Sequence, residues 1–257
     1  MHHYKLDPAH YYSAPGMSWD ALLKSTKTKL ELLTDIDQHL FIEKGLRGGI
    51  SMVSKRKAIA NNPLCPNYNE NEKKSWLMYL DANNLYGWAM MQKLPVRDFK
   101  WDTDVSIETV LAHDPNDTQG WILEVDLEYP TQLHDAHSDY PLAPETMVVP
   151  FEKLSNYQKQ LLHKFNCIEG ACKKQCGYTA HKKLVPNLMR KEKYVVHYRN
   201  LQLYISLGMT CTKIHRALSF TQEAWMASYI QMNTNLRTVA TNDFEKDFFK
   251  LMNNSVF

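Results

Sequence analysis

The chain of 257 residues is long enough to bury one or two hydrophobic cores, and its 44% hydrophobic and 23% charged residues are ordinary for a globular protein. Charges interrupt every apolar stretch well before the ~18 residues that a transmembrane helix needs, and the N-terminus lacks the apolar segment of a signal peptide. We therefore expect no membrane partner and a location in the cytosol, the nucleus, an organelle or a virus factory.

The net charge of +2 hides an uneven layout along the chain. Residues 101–152 contain twelve acidic residues and no lysine or arginine, whereas residues 153–216 contain thirteen lysines or arginines and two glutamates. Aromatic residues are interleaved with the basic ones, as in grooves that bind a phosphate backbone and stack against bases. The alternative is a solvated charged surface that binds nothing.

Hydrophobic periodicity and turn residues predict a mixture of helices, strands and loops. In chain order the predicted elements are a helix within residues 17–44 capped by Ser18, a glycine-rich break at Gly45–Gly49, a loop over 61–74, a buried strand Trp76–Leu80 with Asp81 at its exit, a helix over 83–92, a half-buried strand Trp121–Tyr129, mainly helical structure over 184–209, and a C-terminal helix capped by Asn242 or Asp243. Strands mixed with separate helical runs predict the α+β class.

The five cysteines predict free thiols, because disulfides are rare in chains that are not secreted. Three of them, Cys167, Cys172 and Cys176, precede His181 with a spacing that is looser than that of the usual zinc motifs. We therefore expect unliganded cysteines in a basic loop and no zinc. A zinc-dependent nucleic-acid module centred on these four residues is the alternative.

The segment Tyr79–Gly87 resembles motif A of family B DNA polymerases, D-x-x-S-L-Y-P, with Asn84 in place of Ser and Gly87 in place of Pro. Phosphoryl transfer in such enzymes uses two divalent ions about 4 Å apart. A carboxylate at the end of a strand can bridge both ions, and the resemblance assigns this role to Asp81. It also assigns a backbone carbonyl ligand to Ala82.

The same resemblance implies two nucleotide contacts in motif A, from Leu85 and Tyr86. The Tyr86 ring would lie under the incoming sugar and exclude a ribose 2′-hydroxyl. The alternative is a strand-to-helix turn in which Asp81 is an N-cap and Tyr86 is a core residue.

The C-terminal segment Phe249–Phe257 resembles motif B of the same family, K-x3-N-S-x-Y-G, with Phe257 in place of Tyr. Lys250, Asn254 and Phe257 stand at i, i+4 and i+7, which places an ammonium group, an amide and a ring on one helix face. By resemblance, Lys250 binds the triphosphate and assists catalysis, and the other two line the base-pair pocket. A neighbouring stripe of Phe244, Phe248 and Leu251 is predicted to anchor the helix. The alternative is an amphipathic helix with a solvated lysine.

Two further segments are similar to the protein-primed branch of the family. Leu6–Tyr12 and Ala14–Gly16 look like the stretch after the third exonuclease motif in polymerases of Polinton-type elements, DNA viruses and linear plasmids. Leu46–Gly49 is similar to the Y-x-G-G motif that contacts template, although an ordinary interdomain turn is the alternative.

Arg237 would be a second cation facing the triphosphate, and a solvated arginine at a helix end is the alternative. The DNA contacts expected from this resemblance are Arg47, Gly48, Gly49, Lys182, Lys183, Arg190, Lys193, Arg199 and Ser255.

The resemblance implies an incomplete right-hand polymerase made of a palm, a helical fingers segment and a basic insertion. The expected domains are 1–44, the tail of an exonuclease domain; 45–75, a linker; 76–150, the palm; 151–230, the protein-priming insertion; and 231–257, the fingers helix. The implied function is template-directed deoxynucleotidyl transfer with a two-magnesium site, and the implied partners are primer-template DNA, a deoxynucleoside triphosphate and a terminal protein.

One carboxylate of the two-metal site is missing from the expected place in this sequence. Trp101–Asp104 resembles the motif that carries the second aspartate, but it precedes motif B, and we interpret it as a chance match. The isolated chain is therefore expected neither to polymerise nor to proofread. The alternative is a catalytically dead relic that binds nucleic acid.

Overall fold

The computed structural model describes residues 3–55, 57–166, 177–178 and 181–257. Helices and antiparallel strands are mixed along the chain, which confirms the predicted α+β class. The helices are α1 Ala14–Thr26, α2 Ile36–Gly45, α3 Leu85–Met90, α4 Ile107–Ala112, α5 His134–His137, α6 Asn156–Asn166, α7 Tyr198–Ser206, α8 Ala227–Val239 and α9 Asp243–Asn254. The strands are β1 Leu94–Asp102, β2 Gln119–Glu128, β3 Glu145–Val148, β4 Lys182–Val185, β5 Lys191–His197 and β6 Thr210–Glu223.

Four of the strands form one antiparallel sheet in the order β1-β6-β2-β5, while β3 and β4 pair separately. In β2, Trp121 lies opposite Ser219 of β6, and Ile122 lies opposite His197 of β5. The sheet therefore takes strands from both sides of residue 150, where the sequence analysis expected a domain boundary. The domain limits remain predictions, but residues 94–223 contribute to one continuous sheet.

The alternation predicted for β2 is confirmed, and it places two different layers on the sheet. Trp121, Leu123, Val125 and Leu127 are buried in a core that also contains residues of α4 and α7. Helix α2 covers the opposite face, where Phe41 packs against Val195 and Leu218. A Cβ on Gly45 would lie only 2.9 Å from Val195 Cγ1, so the end of α2 packs closely on β5.

A buried carboxylate joins α2 to the outer face of the sheet. Glu124 accepts hydrogen bonds from Lys44 Nζ at 2.7 Å and from Arg216 Nε at 3.2 Å. The Arg216 guanidinium also lies over the rings of Phe41 and Trp101. A buried charge needs such partners, because an isolated carboxylate in an apolar environment is strongly unfavourable.

A second, helical unit is built from α1, α3, α8 and α9. Helices α8 and α9 form an antiparallel hairpin, and α1 packs against both. Its core is a cluster of buried apolar residues: Tyr4, Met17, Ala21, Leu22, Met90, Met226, Tyr229, Ile230 and Met252. None of the helices within the described ranges is both long and apolar enough to cross a membrane.

The prediction of one helix within 17–44 is wrong, because the structure has two helices there. Lys27 adopts the left-handed conformation (φ 56°) and ends α1. Residues 27–35 then run beside the sheet, where the Glu31 N–H donates to Val96 O. Ser18 is not a cap: it is buried within α1, and Asp35 caps α2 instead.

The prediction of a buried strand at Trp76–Leu80 is also wrong for the structure. These five side chains are between 62% and 93% exposed, and none of the described strands pairs with them. A strand needs a neighbour for its backbone hydrogen bonds, and an apolar run alone does not provide one. Asp81 therefore follows an extended, exposed segment.

The prediction of mainly helical structure over 184–209 is wrong for its first half. β4 and β5 occupy that half, and only α7 is helical. Adjacent Val195 and Val196 favour a strand, and pairing of β5 with β2 fixes it. The predicted end near Gly208 is confirmed, because Gly208 follows α7 with a φ of 101°. At the C-terminus, Asn242 caps α9 as predicted, since its side chain accepts from the Glu245 N–H.

We predict that Glu124→Gln destabilises the protein at pH 7 by about 1–3 kcal/mol, since it weakens two charge-assisted hydrogen bonds at a buried site. Burial raises the pKa of the Glu124 carboxyl, but the hydrogen bonds and charges of Lys44 and Arg216 outweigh it and hold the pKa below its ordinary value. The wild-type advantage should thus be full above the unfolded pKa of about 4.3 and be lost as the pH falls through the lower folded pKa. Urea unfolding at several pH values measures this difference.

The matched control for this prediction is Glu128→Gln. Glu128 lies on the same strand and pairs with Arg190 at 3.1 Å, but its side chain is 43% exposed. An exposed pair of this kind contributes less than about 1 kcal/mol. Equal losses in the two variants would contradict the role assigned to Glu124.

Candidate nucleotide and DNA site

Motif A begins in an exposed segment and ends in α3. Asp81 and Ala82 are exposed and precede the helix without regular secondary structure. Asn84, in the left-handed conformation (φ 56°), is the N-cap of α3, so Asp81 is not the cap. Leu85 and Tyr86 form the first turn of α3, and both are more than half exposed.

The two departures from the family pattern in motif A fit each other in space. A Cβ on Gly87 would lie 2.6 Å from Asn84 Cγ, which is closer than real Cβ contacts allow. The Asn84 side chain thus occupies the space that a side chain at position 87 would need. Because residue 87 is glycine, the Asn84 side chain can lie beside it; a larger residue at position 87 would require that side chain to move.

Most of motif B lies on α9, but the helix ends at Asn254, so Phe257 lies beyond the helix that carries Lys250 and Asn254 and the predicted common helix face is wrong for it. Lys250 and Asn254 are exposed, and Phe257 follows three residues after the helix ends. The predicted anchoring stripe is wrong in part, because Phe244 and Leu251 are exposed and only Phe248 is partly buried. The helix is instead anchored by a face with a different phase: Phe249, Met252 and Asn253.

A chain of buried polar groups fixes α9 against α8. Asn253 Oδ1 accepts from Asn233 Nδ2 at 2.8 Å, and Asn233 Oδ1 accepts from Tyr4 Oη at 2.7 Å. Tyr229 Oη also donates to the backbone oxygen of Met252 at 3.2 Å. These residues carry no motif that marks them in the sequence, although the helical spacing of Asn253 from Phe249 places Asn253 on the apolar face of α9. Because buried amides need specific partners, this series of hydrogen bonds fixes the rotation of α9 about its axis.

The structure brings motif A and motif B together through their aromatic residues. The ring centroids of Tyr86 and Phe257 are 4.5 Å apart, with the planes inclined by 53°. The Gly48–Gly49 segment also reaches this place: a Cβ on Gly49 would lie 4.0 Å from Tyr86 Oη. The two segments that were predicted to contact the nucleotide therefore lie together, and the segment that was predicted to contact template lies near Tyr86.

The Arg47 guanidinium, predicted to contact DNA, is used within the protein. It donates to Val195 O at 2.8 Å and to Gly45 O at 3.0 Å, and it lies 3.9 Å above the Tyr194 ring. Arg47 thus fastens the segment after α2 to β5. Its contact with DNA remains a prediction.

The other predicted DNA contacts are scattered over the sheet and the loops around it. Arg190 pairs with Glu128 at 3.1 Å, and Arg199 Nη1 donates to Gln92 Oε1 at 3.3 Å. Ser255 Oγ lies 2.6 Å from Ser18 Oγ, which connects motif B to α1. The remaining cations in this set, together with the predicted triphosphate contact Arg237, are exposed side chains: Lys182, Lys183, Lys193 and Arg237.

The acidic and basic blocks of the sequence partly neutralise each other across the sheet. Glu124 pairs with Arg216, and Asp126 lies within 4.0 Å of Arg190. Lys191 is fully buried and pairs with Glu145 at 2.9 Å, so it is not available to a phosphate. Only part of the basic block is therefore free to bind a ligand.

The described residues do not by themselves build a two-magnesium site. Asp81 offers one carboxylate and Ala82 one carbonyl, and no group of three or more acidic, histidine or cysteine side chains in the described ranges could hold a metal ion. Asp102 is engaged elsewhere, because its carboxylate accepts from the indole N–H of Trp121 at 3.1 Å. The magnesium ligands thus remain a prediction. Cys167, Cys172 and Cys176, on which the zinc alternative depends, lie outside the described residues.

Comparison with known proteins gives the fold of the chain. No family model matches it, and no curated protein matches it. A crystal form of phi29 DNA polymerase matches with a TM-score of 0.53 and 15% identity over 95% of this chain. The fold of the chain is similar to that of part of phi29 DNA polymerase.

Two further phi29 DNA polymerase structures match in the same way. One is complexed with primer-template DNA and incoming nucleotide, with a TM-score of 0.50 and 15% identity over 96% of this chain. The other is complexed with primer-template DNA alone, with a TM-score of 0.51 and 14% identity over 96%. The chain spans about a third of the phi29 polymerase, since 35% and 36% of those two chains is covered.

We predict that Asn253→Ala destabilises the protein by about 1–3 kcal/mol, because it leaves the buried Asn233 amide without its partner. The matched control is Asn254→Ala on the exposed side of the same helix turn, with an expected change within about 0.5 kcal/mol. Urea unfolding monitored by circular dichroism measures both. Similar losses in the two variants would contradict the assigned orientation of α9.

We also predict a coupling between the two unusual motif A residues. Gly87→Ala should give little of the ~1 kcal/mol gain expected inside a helix, because the methyl group meets the Asn84 side chain. In an Asn84→Ser background the gain should return. Additivity within about 0.3–0.5 kcal/mol in a double-mutant cycle would contradict the fit of Asn84 against Gly87.

Proposed function

We propose that this chain is the part of a DNA-directed DNA polymerase that binds the incoming nucleotide between motif A and motif B and holds primer-template DNA beside it. The contact between Tyr86 and Phe257 carries this proposal. It joins two segments from distant parts of the chain at the residues that the family resemblance assigns to one nucleotide pocket. The similarity of the fold to part of phi29 DNA polymerase supports a polymerase-like function, and one of the matched structures is complexed with primer-template DNA and incoming nucleotide.

The exposed residues around this contact suit the parts of a nucleotide. Tyr86 and Phe257 are 53% and 81% exposed, which leaves ring surface for a sugar and a base. Lys250 and Asn254 lie one turn apart on the exposed face of α9. An ammonium group at this position can bind a triphosphate as a charge-assisted donor. Asp81 would supply one carboxylate at the entrance to α3.

A narrower proposal places the chain in the protein-primed branch of family B, in a virus-like or mobile element. It rests on the resemblance of Leu6–Tyr12 and Leu46–Gly49 to that branch. The residues after 150 would then bind DNA and a terminal protein. Lys182 and Lys183 of β4 are exposed, which suits them to contact a DNA backbone there.

A second candidate function is that of a nucleic-acid-binding relic without catalysis. The observation that favours it is that Asp81 belongs to no group of three or more acidic, histidine or cysteine side chains among the described residues that could hold a metal ion. Such a protein would bind DNA through its exposed lysines and ignore nucleotides.

We predict that a matched deoxynucleoside triphosphate with Mg²⁺ strengthens binding of the purified chain to primer-template DNA. Fluorescence anisotropy of a labelled primer-template measures the affinity. Lys250→Ala and Asp81→Asn should each remove most of the nucleotide effect, because they delete the expected triphosphate and metal contacts. The nucleotide-free affinity should fall steeply with salt, as expected for phosphate contacts.

Lys246→Ala is the matched control for Lys250→Ala. Lys246 lies one turn earlier on the same helix, and its ammonium group pairs with Asp243 at 3.3 Å. This variant should retain the nucleotide effect. Salt-sensitive DNA binding that ignores both the nucleotide and Asp81→Asn would favour the relic and contradict the polymerase proposal.

A further inference from the structure

A cavity of about 580 Å³ lies between α6 and the β3–β4 pair, and none of its lining residues belongs to motif A or motif B. Its apolar lining is shared between the two sides: Val149, Leu161, Leu162, Phe165, Tyr178 and Val185. No side chain of residues 156–165 in α6 is buried, and Phe165 is 75% exposed. A helix with an apolar face is normally stabilised by covering that face. The apolar face of α6 is thus open to a ligand.

Helix α6 offers the cavity a polar group in its first turn. Ser155 and Gln158 cap the helix reciprocally: the Ser155 N–H donates to Gln158 Oε1 at 2.9 Å, and the Gln158 N–H donates to Ser155 Oγ at 3.1 Å. Gln158 also lines the cavity. Because the cap uses its amide oxygen, the amide NH₂ group remains as a donor for an acceptor atom of a ligand.

Two aromatic rings line the cavity. Tyr178 is held by its hydroxyl, which donates to Val149 O, and by an edge-to-face contact with Phe151 at 5.6 Å between ring centroids. Phe165 reaches the cavity from the last turn of α6. Flat rings of this kind favour a flat ligand, and nucleobases of any sequence stack on them.

The charge around the cavity favours a ligand with many negative charges. Residues 149–185 contain seven lysines and two glutamates. Lys153 and Lys183 line the cavity itself, and both are exposed. A ligand with one carboxylate would use one or two of these cations, whereas a nucleic acid strand carries a phosphate at every nucleotide. The bases of a duplex are paired and stacked, so only an unpaired strand can place a base in the cavity.

We propose that this cavity holds a base of single-stranded DNA, with the flanking phosphates on Lys153 and Lys183. The base stacks against Phe165, and the Gln158 amide donates to its edge. This site is separate from the nucleotide pocket proposed between motif A and motif B. It takes an unpaired strand and has no role for a triphosphate.

The test compares two oligomers that share one backbone: an oligothymidylate of about 12 nucleotides, within the usual range for a single-strand site, and an abasic deoxyribose phosphate oligomer of equal length. Fluorescence anisotropy measures the affinity of the 257-residue chain for each. We expect the wild type to prefer the oligothymidylate by about tenfold, the size of one stacked base. Phe165→Ala should remove most of this preference and leave the affinity for the abasic oligomer unchanged.

Two further variants separate base contacts from other effects. Tyr157→Ala is the matched control, because Tyr157 is a 53% exposed ring on the same helix outside the cavity lining. It should retain the preference for the oligothymidylate. Lys183→Ala should weaken binding of both oligomers by the same factor, because a phosphate contact does not depend on the base. Circular dichroism checks that each variant is folded, which the exposure of Phe165 leads us to expect.

Equal affinity of the wild type for the two oligomers would overturn the inference, as would a full preference in Phe165→Ala. Tight binding of polyglutamate that Phe165→Ala abolishes would also overturn it, because the cavity would then belong to an acidic protein partner. Base-dependent binding through Phe165, in a chain whose affinity for primer-template ignores the nucleotide, would support this inference and contradict the proposed polymerase function.

Discussion

The packing of α9 against α8 and α1 determines where motif B lies, and the proposed site depends on it. Phe249 and Met252 bury one face of α9, and Asn253 adds a directional contact through Asn233. Apolar contacts alone would tolerate a small rotation of the helix, whereas a hydrogen-bonded buried amide does not. With that rotation fixed, Lys250 and Asn254 point outward and the chain continues to Phe257 beside Tyr86.

Motif A depends on a different set of constraints. The cap of α3 is Asn84, which adopts the left-handed conformation and whose side chain occupies the space beside Gly87. The ring of Tyr86 then meets Phe257 on one side and approaches Gly49 on the other. The proposed site thus combines the start of α3, the residues that follow α9 and the Gly48–Gly49 segment.

The sequence predicted α9 and its cap at Asn242 or Asp243 because both depend on local periodicity and capping. It predicted β2 for the same reason, since alternation is visible within one segment. The predicted strand at Trp76–Leu80 is wrong, because a strand needs a neighbouring strand to pair with and an apolar run does not show which segment that would be. The helix predicted for residues 184–197 is wrong because β5 is stabilised by pairing with β2, which lies more than 60 residues earlier in the chain.

The candidate site was predictable as a set of residues but not as an arrangement. Family resemblance named Tyr86 and Phe257, yet the contact between them and the approach of Gly49 follow only from packing. The charge layout was misleading for a related reason: a count along the chain cannot show that Glu124 pairs with Arg216 or that Lys191 is buried. The basic side chains that could bind DNA can be counted only after those that are buried or paired with acidic residues have been excluded.

The most direct measurement of the central claim is an NMR titration of the chain with a matched deoxynucleoside triphosphate in the presence of primer-template DNA, following the ring signals of Tyr86 and Phe257. If motif A and motif B form one nucleotide pocket, both signals shift together and saturate with a single dissociation constant. If neither signal responds while the nucleotide binds, or if only residues outside these two motifs respond, the pocket is elsewhere and the account is contradicted.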